Sequence, residues 1–323
     1  MQDGFTIVRR GVASTAANWP LILTQIVELV VIMTVMIGGI FLSIVLLGLT
    51  IDRDAIGSFG SPGGDPEAIA EAVAEWAVAN VAAIAWLVVA MFLIFGVAVL
   101  VHSYFHAGVT GVFVEYERRG ETWGWREAWA RFDFSRFVDF AMHRGWRVFW
   151  IYNVVWGVAG LFLLVPLVFI LGLMLLIGEN AAAIVVACCG IALVVLVGIV
   201  IAIVAGAWAQ LAITIGIATE RGAVAASSAA GDLIRGRLGA ILIIVVVFLA
   251  VTIGVSTMTS TMSLAFDAAG MLPGGDWLVL PVRVVFAFVS SLASSIIGLW
   301  LASCFAILVL EGTPVPNGGK RAD

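Results

Sequence analysis

Six long apolar stretches constrain the fold of this chain more than any other feature of its sequence. They lie near residues 20–50, 78–114, 148–177, 181–219, 239–264 and 284–310. A helix needs about 20 apolar residues to cross the hydrocarbon core of a bilayer, and every stretch is longer than that. The sequence therefore predicts an all-α integral membrane protein with six transmembrane helices, forming a single membrane domain over residues 1–323.

The composition indicates the same class of protein. Hydrophobic residues make up 63% of the chain and charged residues only 11%, whereas about a quarter of a soluble domain is charged. So few polar groups cannot cover a surface in water, and the lipid bilayer is the expected surrounding. The formal net charge of -5 argues against a nucleic-acid partner.

The positions of the basic residues predict an orientation. The N-terminus, the segments 115–147 and 220–238 and the C-terminus together hold 14 of the 16 Lys and Arg residues. Only Arg53 and Arg283 belong to the opposite side, where the segment 51–77 is acidic. Because loops on the cytoplasmic side retain basic residues, we expect a multi-pass protein of the cell inner (cytoplasmic) membrane with both termini in the cytoplasm.

An internal similarity groups the six stretches in pairs. The dipeptide Arg-Gly precedes the third and fifth stretches, at 144–145 and 235–236, and Glu220 and Glu311 follow the fourth and sixth; both spacings are 91 residues. These landmarks predict repeats at approximately 5–116, 125–221 and 226–312. Each repeat crosses the membrane twice, so the three hairpins are parallel repeats. They could surround a pseudo-threefold axis; a linear six-helix bundle is the alternative.

A basic or polar segment precedes each hairpin and is predicted to form a cytoplasmic interfacial helix. In the N-terminal segment, Phe5, Val8, Val12 and Trp19 recur at helical spacing beside two arginines. In the segment 123–143, tryptophans and phenylalanines alternate with arginines. Such amphipathic helices lie flat on an anionic leaflet. An ordinary juxtamembrane loop is the alternative.

Ionisable side chains inside a membrane span are costly and are therefore candidates for function. Glu28 lies in the middle of the first span, and His102 and His106 lie one helical turn apart on the second. We expect Glu28 to pair with one of the two histidines. Such a pair could handle protons or bind a ligand, since histidine titrates near neutral pH, or it could be a polar clasp between helices. Two histidines do not close a zinc site, and no metal or other cofactor is expected.

Three further polar residues complete the candidate buried polar cluster of the spans: Gln25, Asn153 and Gln210. The ordinary role of an amide at such a depth is a hydrogen bond between helices, which we expect for Asn153 and Gln210. The glycine pairs Gly108/Gly111 and Gly157/Gly160 are predicted to let neighbouring helices approach closely.

The sequence contains no signature of a soluble enzyme: no GxSxG, Walker loop, HExxH or glycine-rich dinucleotide turn. No catalytic residue is predicted. The first hypothesis is a non-catalytic membrane protein, a scaffold or accessory subunit whose partner is another membrane protein or a second copy. The alternative is a small-molecule or ion transporter that uses the Glu/His cluster. An intramembrane enzyme or cofactor binder using the two histidines is a third class.

The Arg-Gly-Trp-Arg sequence at 144–147, preceded by a polar helix and followed by a long apolar hairpin, resembles a group of bacterial multispanning membrane domains of unknown function. The group includes the membrane domain attached to some glycerophosphodiester phosphodiesterases. The resemblance covers residues 125–310 and implies a multispanning helical fold. It does not imply phosphodiesterase activity, because these residues contain no such catalytic domain.

Overall fold

The computed structural model describes residues 3–50, 78, 80–120, 123–177, 181–270 and 275–312. Within these ranges the chain is α-helical apart from short turns. The helices are α1 (Gly4–Ala17), α2 (Leu21–Thr50), α3 (Val81–Arg119), α4 (Ala128–Arg131), α5 (Phe134–Ile177), α6 (Ala181–Thr219), α7 (Ala223–Gly270) and α8 (Gly275–Gly312). The acidic segment 51–77 lies outside the described residues.

Six of the described helices are long and apolar enough to cross a membrane, namely α2, α3 and α5 to α8. This confirms the prediction of an all-helical protein with six membrane-spanning segments. Many of their large apolar side chains are exposed. Apolar helix surface of this length implies contact with the lipid bilayer.

The segment 123–143 was predicted to be a separate interfacial helix, and that prediction is wrong. Its only separate helix is the single turn α4, after which Phe132 is extended. The Asp133 carboxylate then accepts hydrogen bonds from the Ser135 backbone N–H at 3.0 Å and its hydroxyl at 2.6 Å. These bonds start α5 and lower the pKa of Asp133. No proline lies between Phe134 and Val148, and α5 runs without interruption from Phe134 into the membrane span.

The polar segment before the fifth span is helical, and a kink separates it from its span. Helix α7 begins at Ala223, and its one non-helical residue is Arg237, with φ -133° and ψ 32°. This kink separates the entry segment from the apolar stretch that the sequence places at 239–264. Thus the start of the fifth span, predicted near residue 239, coincides with a bend in the helix.

Helix α1 is covered by protein on one face and exposed on the other. Phe5 and Val12, expected on the membrane-facing side, are 64% and 54% exposed. The buried face carries Gly4, Ile7 and Gly11, spaced three and four residues apart. Small residues on this face let α1 approach its neighbours closely, so packing against protein determines which side of the helix is covered.

The neighbours of α1 are helices α7 and α8. A side chain on Gly11 would overlap the Cys304 sulfur and meet the Ser303 hydroxyl. The same hydroxyl donates to the Gly11 carbonyl oxygen at 2.9 Å, and the Trp300 indole N–H donates to the Val8 carbonyl oxygen at 3.2 Å. Helix α1 is therefore a packed part of the helical core.

The chain forms two compact units, which are described separately. Unit 1 comprises Met1–Ile26 and Ser103–Asp323, and unit 2 comprises Val27–His102. The core of unit 1 draws on α1, the start of α2, the second half of α3 and parts of α5 to α8. In unit 2, Gly39 of α2 lies against the Ile94 side chain of α3.

The two predicted glycine pairs differ in their surroundings. A side chain on Gly108 would lie 2.5 Å from the Phe137 ring, and one on Gly111 would overlap the Phe140 ring. A side chain on Gly157 or Gly160 would meet nothing within 4 Å. Only the first pair brings two helices, α3 and α5, into close contact.

Substituting one member of each pair tests this difference. We expect Gly111→Ala to destabilise the protein by about 1–3 kcal/mol, because the added methyl group overpacks the contact with Phe140. The matched change Gly160→Ala should leave stability unchanged or slightly raised, because alanine is the better helix former. Thermal unfolding in detergent measures both. Equal melting temperatures for the two variants would contradict the packing described for α3 and α5.

Candidate functional site

The structure brings Glu28 and His102 together within unit 2. The Oε1 atom of Glu28 lies 2.5 Å from Nδ1 of His102. The Glu28 side chain is buried, with 7% exposed, whereas the His102 side chain is 43% exposed. Both residues belong to membrane-spanning helices, α2 and α3, so this is an intramembrane carboxyl–imidazole pair.

The chemistry of this pair is defined by one shared proton. An isolated charge inside a membrane is unfavourable, and a partner of opposite charge or a hydrogen bond offsets that cost. Glu28 and His102 can share a proton as carboxylate with imidazolium or as carboxyl with neutral imidazole. The pair is thus both a connection between two helices and a group able to take up and release a proton.

His106 and Gln210 form a second polar pair, within unit 1. Nε2 of His106 lies 2.9 Å from Oε1 of Gln210, and the His106 ring meets the Tyr152 ring edge-on at 6.0 Å between centroids. An amide oxygen only accepts hydrogen bonds, so Nε2 of the histidine donates. This bond joins α3 to α6, as the sequence analysis expected for Gln210.

The remaining predicted residues occupy other positions. Asn153 is exposed, and its amide donates to the Phe149 carbonyl oxygen of the preceding turn at 2.8 Å. The amide nitrogen of Asn153 thus bonds to its own helix, and the interhelical role expected for Asn153 stays a prediction. Gln25 is half-buried on α2, in unit 1. In the described part of the chain, no group of three His, Cys, Asp or Glu side chains is arranged to hold a metal ion.

Arginine side chains close the end of helix α6, a feature that sequence reasoning missed. The last carbonyl groups of a helix lack partners within it. Arg147 donates to the Gly216 oxygen at 3.0 Å and Arg144 to the Ile217 oxygen at 2.5 Å. Arg118 of α3 donates to the next carbonyl oxygen, that of Ala218. We call these three residues, Arg118, Arg144 and Arg147, the arginine cap; their charges also favour the negative end of the helix dipole.

A chain of ion pairs connects the other helix ends of unit 1. Arg10 of α1 lies 2.5 Å from the Glu117 carboxylate and 3.5 Å from the Glu311 carboxylate. Arg237 of α7 lies 3.8 Å from the same Glu311 carboxylate and donates to the Glu311 carbonyl oxygen at 3.0 Å. Four helices, α1, α3, α7 and α8, are thereby held together at one end.

Two of these contacts join residues that are separated by a similar number of positions along the chain, a regularity that is visible in the sequence. Arg144 lies 2.9 Å from the Glu220 carboxylate, 76 residues further along the chain, and Arg237 contacts Glu311, 74 residues further along. In the sequence, Glu220 and Glu311 were landmarks of the repeat only. Their contacts with Arg144 and Arg237 were not predicted.

Tryptophans beside α1 and α4 form an exposed patch. The Trp19 ring stacks on the Trp129 ring with centroids 5.7 Å apart, and the Trp19 indole N–H donates to the Trp125 carbonyl oxygen at 3.1 Å. The guanidinium of Arg126 lies over the Trp125 ring at 5.5 Å. Trp125 and Trp129 are 63% and 61% exposed. We call Trp125, Arg126 and Trp129 the tryptophan–arginine patch; such residues are enriched where a membrane meets water.

Comparison with known proteins adds no further information about the site. No family model, curated protein or solved structure matches this chain. The function is therefore argued from the contacts described above.

The arginine cap can be tested by substitution. We expect Arg144→Ala to lower the free energy of unfolding by about 1–3 kcal/mol, because it leaves a buried helix-end carbonyl without its donor. Arg9 is exposed and provides the matched control; Arg9→Ala should change stability by no more than about 0.5 kcal/mol. Unfolding in a detergent titration measures both. If the two variants unfold alike, Arg144 does not stabilise the end of α6.

Proposed function

We propose that this chain is a non-catalytic multi-pass protein of a bacterial inner membrane that acts as a scaffold or accessory subunit. Its partner would be another membrane protein or a second copy of the chain. The observation that supports this proposal best is the closed end of unit 1. There the arginine cap and the Arg10 ion pairs hold helix ends together, and the tryptophan–arginine patch is exposed beside them.

The orientation of the chain in the membrane and its internal repeat of hairpins are parts of the same proposal. We place the closed end on the cytoplasmic side because the arginines of the described helices concentrate there. We interpret α5–α6 and α7–α8 as the second and third repeated hairpins. The contacts Arg144–Glu220 and Arg237–Glu311 support this interpretation, because each joins the beginning of one hairpin to its end.

The proposal also includes kinship with the bacterial multispanning domains named above. The Arg-Gly-Trp-Arg sequence that suggests this kinship has a structural explanation in this chain. Arg144 and Arg147 belong to the arginine cap, and a side chain on Gly145 would lie 2.5 Å from the Tyr104 ring. Three of the four residues thus serve close packing and helix capping, which are structural roles.

Site-specific photocrosslinking tests the scaffold. A benzophenone amino acid replaces Trp129 in the patch or, as the matched control, Phe162, which is 65% exposed in the apolar part of α5. After irradiation of intact cells, we expect a discrete protein adduct only from position 129, identified by mass spectrometry. Failure to obtain a protein adduct at 129, or the same adduct from both positions, would contradict a partner at this patch.

The orientation is tested in the same cells. A cysteine replaces the exposed Arg9, with the native cysteines removed. A membrane-impermeant maleimide should label it only after the inner membrane is opened. Labelling of intact spheroplasts would reverse the proposed orientation.

A transporter is the second candidate, and the Glu28–His102 pair favours it. A carboxyl–imidazole pair inside the membrane can carry a proton between two states of a protein. Such a protein would use the pair to couple proton movement to a small solute or ion.

Proton flux through proteoliposomes distinguishes this candidate. With a pH-sensitive dye inside the vesicles, a transporter should dissipate an imposed pH gradient faster than protein-free vesicles do. Glu28→Gln should return the rate to that of protein-free vesicles, because the amide cannot exchange a proton with His102. Asn153→Ala, which changes an exposed polar group of α5, should leave the rate unchanged. Flux that survives Glu28→Gln would exclude this mechanism.

A further inference from the structure

Helices α6, α7 and α8 line a half-open cavity of about 220 Å³ within unit 1. Its wall is apolar except for one side chain, the amide of Gln210. Its lining includes Gly206, Gln210, Val245, Phe248, Leu301 and Phe305. A largely apolar cavity with a single polar group is the usual form of a small-molecule site.

The amide of Gln210 is held in position by residues that do not line the cavity. Its Oε1 accepts from Nε2 of His106, and the His106 ring lies against Tyr152. The contact with His106 uses only the amide oxygen of Gln210, and the amide nitrogen carries two further N–H donors. An N–H group in an apolar cavity gains by meeting an acceptor, because a buried donor without a partner is costly. The wall thus presents a fixed donor that fits an oxygen acceptor.

The depth of Gln210 restricts what can reach it. Gln210 precedes Thr219, the end of α6, by nine residues, which corresponds to about 13 Å along a helix. The apolar part of α6, Cys189–Thr219, has 31 residues and is about 46 Å long, close to the full thickness of a bilayer with its headgroups. Gln210 then lies roughly 6–8 Å inside the hydrocarbon region. A ligand must therefore be soluble in lipid.

We propose that this cavity binds a lipid-soluble carbonyl compound, whose oxygen accepts a hydrogen bond from the Gln210 amide. The apolar body of the ligand lies among Phe248, Leu301 and Phe305. The volume suits one substituted six-membered ring or a short chain segment, with any longer tail extending into lipid. The carbonyl could come from a ring ketone of the quinone class or from a fatty ester. The depth favours the ring ketone, because the esters of phospholipids lie at the headgroup boundary.

One glycine of the wall allows the cavity to be filled without disturbing the helices. A side chain on Gly206 would meet nothing within 4 Å, and Gly206 lines the cavity. Gly206→Leu should therefore fill the cavity while α6 remains intact, since leucine is a better helix former than glycine. Gly254 of α7 is exposed, does not line the cavity and has equally open surroundings. Gly254→Leu is the matched control for the added side chain.

Photoaffinity labelling in proteoliposomes provides the measurement. The probes are three diazirine-bearing molecules with the same alkyl tail: a benzoquinone, a fatty acid methyl ester and a plain alkane. Mass spectrometry maps the labelled peptides. In the wild type we expect labelling by a carbonyl probe within residues 202–210 or 245–249. Labelling of these peptides should be at least tenfold weaker in Gly206→Leu and unchanged in Gly254→Leu. Stronger labelling by the quinone or by the ester identifies the source of the carbonyl.

The role of the amide is tested separately. Gln210→Leu should reduce labelling by the preferred carbonyl probe about fivefold, the equivalent of one hydrogen bond, without reducing labelling by the alkane. Two results would overturn the proposal: labelling of these peptides that persists in Gly206→Leu, or equal labelling by the alkane and the carbonyl probes in the wild type. The binding site does not depend on the scaffold proposal, because its residues are separate from the patch used for crosslinking.

Discussion

The terminal carbonyl groups of α6 need hydrogen-bond donors from outside their own helix, and much of unit 1 is arranged around the arginines that supply them. Arg118 comes from α3, and Arg144 and Arg147 come from α5. A guanidinium can satisfy a carbonyl and a carboxylate at once, as Arg144 does with Ile217 and Glu220. Three helices are therefore fixed at one end by charge-assisted hydrogen bonds, which are stronger than neutral ones.

The same physical requirement explains the position of α1. Arg10 extends from α1 to Glu117 and Glu311, while the glycine-containing face of α1 packs against α7 and α8. A bulkier face could not approach closely enough for the Ser303 hydroxyl to reach the Gly11 carbonyl oxygen. Close packing and ion pairing thus act together, and they give unit 1 the closed end on which the scaffold proposal depends.

Two polar pairs join helices within the spans, and each pair has more than one use. Glu28 with His102 connects two helices and can exchange a proton, so the same contact is compatible with a structural clasp and with transport. His106 with Gln210 joins α3 to α6 and also fixes an amide in the wall of an apolar cavity. Measurements of proton flux and of photoaffinity labelling address these uses directly, whereas measurements of protein stability alone would not separate them.

The sequence by itself determined the class of protein, because six long apolar stretches can be stable only as helices in lipid. It also determined which polar residues the spans contain, and it allowed Glu28 to be matched with a histidine. Tertiary structure decided which histidine that is and that Asn153 bonds to its own helix. It also decided that α1 buries its small residues and that α5 starts at Phe134. These outcomes depend on which helix surfaces meet, and apolar periodicity carries little information about that when nearly every face of a helix is apolar.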